Sequence, residues 1–479
     1  MPTYIFSRPA AAGKTDAACQ ETCDLMRQGK HVILAFPTIK LLKQTERRLS
    51  SFLQAAGIKI KPIALYGTED DSQSVHDRVT QVLVSSTAGL PTALLITHEA
   101  FKRIPGNMRR GITVFYDEEM NVYETFPISM PYSHAQITSH VRSSELPRFE
   151  AVLHLTAKKS SREYLRQIAD KGMKDQLWTP LVQLASALLD SSRMVLVLRT
   201  EWDDLLAEKE PLQTRFHTVI NGDVLRGYES VTFMGAFYER SLHAMLWDRL
   251  GLGMTNHPRL GGQVSNSSHT NGHQVEIYYA YDDGFRYGTR SKVKLDPRDG
   301  KTTRVAAYAA AVDQLFDGSE FGWMDNKDVS YRLGLPDENR IPNRPHGINT
   351  EYEHLTGVAL FGAYNMDDNC YPFFEALRIS PNDIDYARNF LAYYQGAMRI
   401  ALRDRTYRGM AKIVVPTRQH AEYFQAVFPN SQMSQLPEVE FTARGAGRPR
   451  LPDEVKKANR AKRDRERYEA KKIANLGVK

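Results

Sequence analysis

The chain has 479 residues and a mass of 54.4 kDa, which is too much for one ordinary core, so two or three domains are expected. Hydrophobic residues at 42% and charged residues at 25% are globular values that exclude wholesale disorder. No apolar run approaches the ~20 residues that span a bilayer, and the net charge of +7 is concentrated in residues 443–479, where thirteen Lys/Arg stand against five Asp/Glu, so the rest of the chain is near neutral.

Thr3–Phe6 reads as a short buried strand, followed by a Pro/Ala/Gly loop and a helix from Thr15 to Gln28. The loop, Arg8-Pro9-Ala10-Ala11-Ala12-Gly13-Lys14-Thr15, lies between strand and helix as a phosphate-binding loop must. Its backbone N–H groups and the helix N-terminus would stabilise a phosphate. Gly13, Lys14 and Thr15 are the candidate ATP-binding residues, with Lys14 on the β/γ-phosphates and the Thr15 hydroxyl on Mg²⁺. Arg8 stands where the motif's first glycine would be. A strand at His31–Phe36, a helix at Thr38–Phe52 and strands at Lys61–Tyr66, Ala93–Thr97 and Ile112–Tyr116 follow. Short apolar strands alternating with helices argue a parallel, doubly wound sheet. The last strand runs into Asp117-Glu118-Glu119. Asp117 is expected to hold Mg²⁺ and Glu118 to polarise the attacking water. An acidic strand end alone is commonly a solvated turn; the phosphate loop upstream favours the catalytic reading.

Residues 121–214 read as a mostly helical insertion, with helices at Glu163–Ala169 and Leu181–Leu189. Strands resume at Phe216–Ile220 and Val231–Phe237, completing the first domain (1–120 and 215–255), and Gly251–Gly272 reads as a linker. A second α/β unit over 270–435 offers a strand at Val275–Tyr281, a helix at Thr303–Phe316 and strands at Phe321–Asn326 and Val358–Tyr364. It continues with a helix at Ile384–Arg405, a strand at Ile413–Pro416 and a helix at Gln419–Val427. In the basic tail, Gly447-Arg448-Pro449-Arg450 resembles an AT-hook core, whose arginines enter a narrow A·T minor groove. A charge-dense segment, Lys456–Lys472, comes after it. A basic terminal segment on a neutral body points to a polyanion, most often nucleic acid; the competing reading is a solvated tail.

Together these residues resemble superfamily 2 helicases. Phe36-Pro37-Thr38-Ile39-Lys40-Leu41-Leu42-Lys43-Gln44 looks like that family's motif Ia, and Thr97-His98 like motif Ib. Val231–Phe237 resembles motif III, with Leu155-Thr156-Ala157 as a rival; Pro345-His346-Gly347-Ile348-Asn349 resembles motif V. Tyr394-Gln395-Gly396-Ala397-Met398-Arg399 with Arg403 resembles motif VI. The resemblance implies an α/β fold of two RecA-like parallel-sheet P-loop NTPase domains, with the insertion and basic tail added. It implies ATP and Mg²⁺ as cofactors, and Lys14, Glu118, Gln395, Arg399 and Arg403 as catalytic, with Arg399 the arginine finger and Arg403 one turn further along the same helix face. Thr38, Lys40, Thr97 and Asn349 would lie near a nucleic-acid strand, with Arg448 and Arg450 in the tail.

The expected activity is an ATP-dependent helicase or translocase on DNA, single-stranded and duplex or forked, with RNA the other candidate substrate. Seven residues before Arg8 leave no room for an adenine-reading sequence, and Asp-Glu-Glu-Met differs from Asp-Glu-Ala-Asp; both argue against the RNA-remodelling branch. The alternatives are a large-terminase-like packaging ATPase and a non-catalytic nucleic-acid-binding protein. Compact size and the basic tail suggest a phage, plasmid or mobile-element replication protein. Three cysteines cannot build a disulfide framework, and no secretory signal is evident, so a cytoplasmic, reducing location is expected. Cys19 and Cys23 read as buried thiols rather than a metal pair, and Tyr278, Tyr279 and Tyr281 as core rather than base-stacking residues.

Overall fold

The structure is a computed structural model that describes residues 2–67, 73–86, 90–129, 133–171, 179–209, 213–260, 269, 274–282, 286–296, 300–327, 329, 331, 333–343, 347, 350–404 and 406–437. The first domain opens with β1 (Thr3–Ser7), α1 (Lys14–Arg27), β2 (His31–Phe36), α2 (Ile39–Ala55) and β3 (Ile63–Leu65). It continues through α3 (Val75–Ser86), β4 (Ala93–Thr97), α4 (His98–Lys102) and β5 (Ile112–Asp117). β2 and β5 are near-continuous apolar runs because helices cover both faces of the sheet, which suits central parallel strands. α2 starts where the Thr38 side chain accepts a hydrogen bond from the Leu41 N–H, and it buries Leu42, Thr45, Leu49 and Leu53 as one stripe.

The insertion follows: β6 (Tyr123–Ile128), α5 (Ala135–Thr138), β7 (Val141–Leu146), β8 (Phe149–Ala157), α6 (Arg162–Lys171), α7 (Thr179–Leu189), β9 (Arg193–Leu198), α8 (Arg199–Leu206) and β10 (Thr214–Ile220). This corrects the expected mostly helical segment at 121–214. Its strands form an antiparallel sheet in the order β6-β10-β9-β8-β7, and the unit extends to Ile220, so the strand at Phe216–Ile220 belongs here. The physical reason is the exposure of the sheet's edge strands, β6 and β7. β7 keeps four central residues, Arg142 to Glu145, exposed, so its sequence lacks the apolar run of a buried strand.

The chain then returns through β11 (Ser230–Gly235), α9 (Leu242–Arg249) and β12 (Thr255–Asn256). The first sheet is parallel in the order β12-β1-β11-β5-β2-β4-β3, so β11 separates the phosphate-loop strand from the acidic strand. The second domain contains β13 (Gln274–Tyr281), α10 (Thr289–Lys292), α11 (Arg304–Phe316), β14 (Gly322–Met324), β15 (Gly357–Leu360) and α12 (Tyr371–Ala376). After these come α13 (Pro381–Asp385), α14 (Leu391–Ala397), β16 (Met410–Thr417), α15 (Arg418–Val427) and β17 (Gln432–Gln435). Its sheet, β14-β15-β16-β13-β17, is also parallel throughout. Tyr279 and Tyr281 are core residues, and all three cysteines are buried. Among the described residues, no helix is long and apolar enough to cross a membrane. The tail, with Arg448 and Arg450, and Asn349 lie outside the described residues.

The expected helix Ile384–Arg405 is also corrected. α13 passes through a π-helical turn, Tyr386–Phe390, into α14, which ends at Ala397. Ile400 is extended, and Ala401–Arg403 forms a separate 3₁₀ turn. Arg399 and Arg403 therefore do not share a helix face.

One apolar core joins the parts. Cys370, Phe373, Phe374, Leu377, Ile379 and Ile384 of the second domain are buried in the same cluster as Tyr123, Phe149, Val152 and Leu196 of the insertion. The Phe373 ring stacks on His217 at 3.8 Å, and His217 Nδ1 meets the Tyr123 hydroxyl at 2.7 Å. At the margin, Arg215 pairs with Asp367 at 3.0 Å. Phe373→Ala is expected to destabilise the fold by about 3 kcal/mol or more, read as a lower denaturation midpoint and faster proteolysis within 365–385. An unchanged midpoint would contradict this packing role.

Candidate nucleotide and nucleic-acid site

The loop after β1 is shaped by its backbone. Gly13, at φ 77°, takes the left-handed conformation that starts α1, and Ala11 adopts φ 57°. The Arg8 N–H donates to the Gly235 carbonyl at 3.1 Å, which ties the loop to the end of β11. Gly235 has no space for a side chain, because a Cβ there would stand 2.7 Å from the Tyr238 ring. The departure from the resembled motif III at this position is thus steric. Val231–Phe237 runs along and just past β11, which pairs with the acidic strand β5, whereas Leu155-Thr156-Ala157 lies in β8 of the insertion.

Lys14 folds back over the loop and donates to the Arg8 and Pro9 carbonyls, both at 2.9 Å. Burial lowers its pKa to about 8 against the raising fields of Glu118 and Asp117; Arg403 and Arg399 of the second domain act in the same direction as burial. The structure therefore brings Lys14, Asp117, Glu118, Arg399 and Arg403 into one electrostatic neighbourhood shared by the two parallel-sheet domains. Arg399 is 5% exposed, and its burial beside Arg403 pushes its pKa down to about 9 despite the opposing Glu118. Gln395 Oε1 accepts from Arg399 Nη2 at 3.3 Å, and Arg403 lies 3.9 Å from Glu353. Asp117 is buried at the end of β5. Glu118 has φ 69°, and its N–H donates to the Met234 carbonyl at 2.6 Å.

Thr15 stands in the first turn of α1 behind Gly13. A threonine hydroxyl and an aspartate carboxylate are hard oxygen donors of the kind Mg²⁺ takes, usually alongside substrate phosphates. The donor set of Thr15 and Asp117 thus fits the ion.

Thr38 and Thr97 both cap helices: their side chains accept from Leu41 N and Ala100 N. Lys40 is ion-paired with Glu351 of the second domain. Beside that pair, the Gln44 amide donates to the Gly347 carbonyl at 2.8 Å. Gly347 has φ 79°, and a Cβ there would come within 2.8 Å of the Leu41 nitrogen. Gly347, from the segment resembling motif V, therefore meets the segment resembling motif Ia across the domains.

Two residues without an expected role help to build the cleft. The Tyr394 hydroxyl accepts from the Ala10 N–H at 2.8 Å and lies 2.6 Å from His269 Nε2, bridging the second domain to the phosphate loop. Phe237, at the end of motif III, packs edge-on against Tyr394 with centroids 5.0 Å apart. The second is His98, which lies against Asp117. The only signal in the sequence is adjacency: Tyr394 precedes Gln395, and His98 follows Thr97.

The Lys14 environment has a pH signature. Its folded pKa of about 8 lies below the ordinary 10.5. Between those values the unfolded chain holds more protons, so this group's contribution makes stability rise with pH across the window, and its cost is fully present below it. Lys14→Met should therefore gain stability over the wild type near neutral pH, and the gain should shrink toward pH ~10.5. Urea unfolding of both proteins at several pH values measures this. A pH-independent difference would contradict the buried-cation account.

Residues 3–130 match the family model described as DEAD/DEAH box helicase. No curated protein matches the chain. Among solved structures, the chain is similar to one titled XPD helicase at 10% identity and TM-score 0.39, covering 88% of this chain and 99% of that one. It is similar to S. cerevisiae Dbp5 bound to RNA and ADP BeF3 at 10% identity and TM-score 0.35, covering 91% and 85%. It is also similar to the DUF1998 helicase MrfA bound to DNA and AMPPNP at 9% identity and TM-score 0.31, covering 90% and 49%.

Proposed function

We propose that this chain, whose residues 3–130 match the DEAD/DEAH box helicase model, is a superfamily 2, ATP-driven translocase that moves along single-stranded nucleic acid and opens duplexes, with DNA as its substrate. The observation that carries the reading is the shared cleft. Lys14, Asp117 and Glu118 come from the first domain, and Arg399 and Arg403 from the second, within one electrostatic neighbourhood. A site divided between two domains couples hydrolysis to their relative motion.

In this mechanism the loop N–H groups and Lys14 bind the phosphates of ATP. Thr15 and Asp117 would hold Mg²⁺, which when bound neutralises developing phosphate charge. Glu118 orients the attacking water and accepts its proton. Arg399 stabilises charge in the transition state, and Gln395 orients its guanidinium. Arg403, beside Glu353, sets the local field. Thr38, Lys40, Thr97 and Asn349 line the strand path, and the tail arginines Arg448 and Arg450 grip duplex.

DNA is favoured over RNA by the AT-hook-like Gly447-Arg448-Pro449-Arg450 and by the insertion between motifs II and III. The deciding experiment is strand displacement on 3′-tailed, 5′-tailed and forked substrates, DNA and RNA in parallel, with single-strand-stimulated ATP hydrolysis measured alongside. Lys14→Ala, Glu118→Gln and Arg399→Ala should each lose at least about 100-fold in turnover, with the last two retaining ATP binding. Normal hydrolysis by Arg399→Ala with nucleic acid present would remove the two-domain site, and metal-dependent DNA cleavage would favour a packaging motor.

Removing residues 443–479 takes away the basic excess. Counterion release makes log affinity linear in log salt, so the truncated protein should bind duplex more weakly, with a slope flatter by several units. An unchanged slope would mean that the tail contacts something other than nucleic acid. Arg448→Ala should weaken A·T-rich duplex binding more than G·C-rich binding.

A further inference from the structure

We infer that His98 is a positioning residue that fixes the peptide between Asp117 and Glu118, and through it the direction of both carboxylates. The inference rests on the proposed role of the acid pair. His98 Nε2 lies 2.8 Å from the Asp117 carbonyl oxygen. A carbonyl only accepts, so Nε2 carries the proton in this bond. The imidazole is held flat on the Tyr116 ring, with centroids 3.9 Å apart and planes 16° apart. On the other side of the same peptide, the Glu118 N–H donates to the Met234 carbonyl at 2.6 Å. The peptide is thus held at both its polar ends, by residues from the ends of β4 and β11.

That double hold accounts for the backbone of Glu118. Its φ of 69° lies in the left-handed region, which residues with a Cβ seldom enter and which persists where the surroundings over-determine it. The two carboxylates leave the chain on either side of this one peptide, so rotating it would redirect both. A water-orienting base and a metal-holding carboxylate tolerate little misplacement. His98 also follows Thr97 directly and opens α4, the helix that Thr97 caps. A nucleic-acid strand held at Thr97 is thereby one residue from the bond that sets Glu118.

The test compares wild type, His98→Ala and His98→Gln in steady-state ATP hydrolysis with saturating single-stranded DNA. His98→Ala should lose about tenfold in kcat while KM for ATP stays within about twofold, because outer groups orient the site rather than bind substrate. His98→Gln carries an amide N–H donor on a chain of similar reach and should recover most of the lost kcat. Without nucleotide, hydrogen exchange at the Glu118 amide should accelerate in His98→Ala and return toward wild type in His98→Gln. Wild-type kcat in His98→Ala, or equal kcat losses in both variants with KM rising in step, would overturn the inference. Should the wild type not hydrolyse ATP, the functional reading fails, and exchange alone decides: an unchanged Glu118 amide in His98→Ala would overturn the peptide hold.

Discussion

Parallel pairing is the constraint on which the rest depends. When every strand of a sheet runs the same way, all the C-terminal strand ends lie along one edge. In the seven-stranded sheet that edge collects the Arg8–Gly13 loop after β1, Thr38 after β2, Thr97-His98 at the end of β4, Asp117-Glu118 at the end of β5 and Gly235 at the end of β11. Residues separated by more than two hundred positions in sequence, such as Arg8 and Gly235, thereby become neighbours without any long-range device beyond strand order. The second domain faces this edge with a helix end. α14 delivers Tyr394 and Gln395, and the turn after it delivers Arg399.

The same constraint decides what can be read from the sequence. Central parallel strands are buried on both faces, so β2, β4, β5 and β13 stand out as apolar runs, and the residues at their ends can be named in advance. The insertion is hidden because the edge strands of its antiparallel sheet are exposed along their middles: β6 and β7 bury only their end residues, so neither reads as an apolar run. The break after Ala397 is hidden for another reason. Arg399 to Arg403 has helical spacing, but Ile400 turns extended, and the Ala401 N–H bonds to the Leu355 carbonyl rather than continuing the helix. Site residues carried by side chains at strand ends are legible. Those that act through a hydroxyl or ring on a backbone group, such as Tyr394 on Ala10 or His98 on Asp117, leave no pattern in spacing.

The insertion is more than an appendage. Its sheet shares an apolar core with both the first domain and the 370–384 segment of the second. That segment leads through the π-helical turn directly into α14. Asn389 within the turn is buried, and its carboxamide bonds Asp385 at 2.8 Å and the Tyr364 N–H at 2.7 Å. The extra residue per turn is thus stabilised by side-chain bonds that a regular helix would not need. One end of this helical run is packed on the insertion, and the other carries the arginine that enters the cleft.

The Ala10 N–H has a partner in the Tyr394 hydroxyl, and the Lys14 ammonium has two in the carbonyls of Arg8 and Pro9. A phosphate that takes these donors enters by exchange and not by addition. The free energy of each new contact is then a difference between two bonded states, and it is smaller than the strength of the bond formed. Under the proposed role of the loop, a phosphate that took the Ala10 N–H would release the Tyr394 hydroxyl of the opposite domain. On that reading nucleotide entry and the loosening of one interdomain tie would be a single equilibrium, and a change that weakens the Tyr394 bond would tighten phosphate binding by the same free energy.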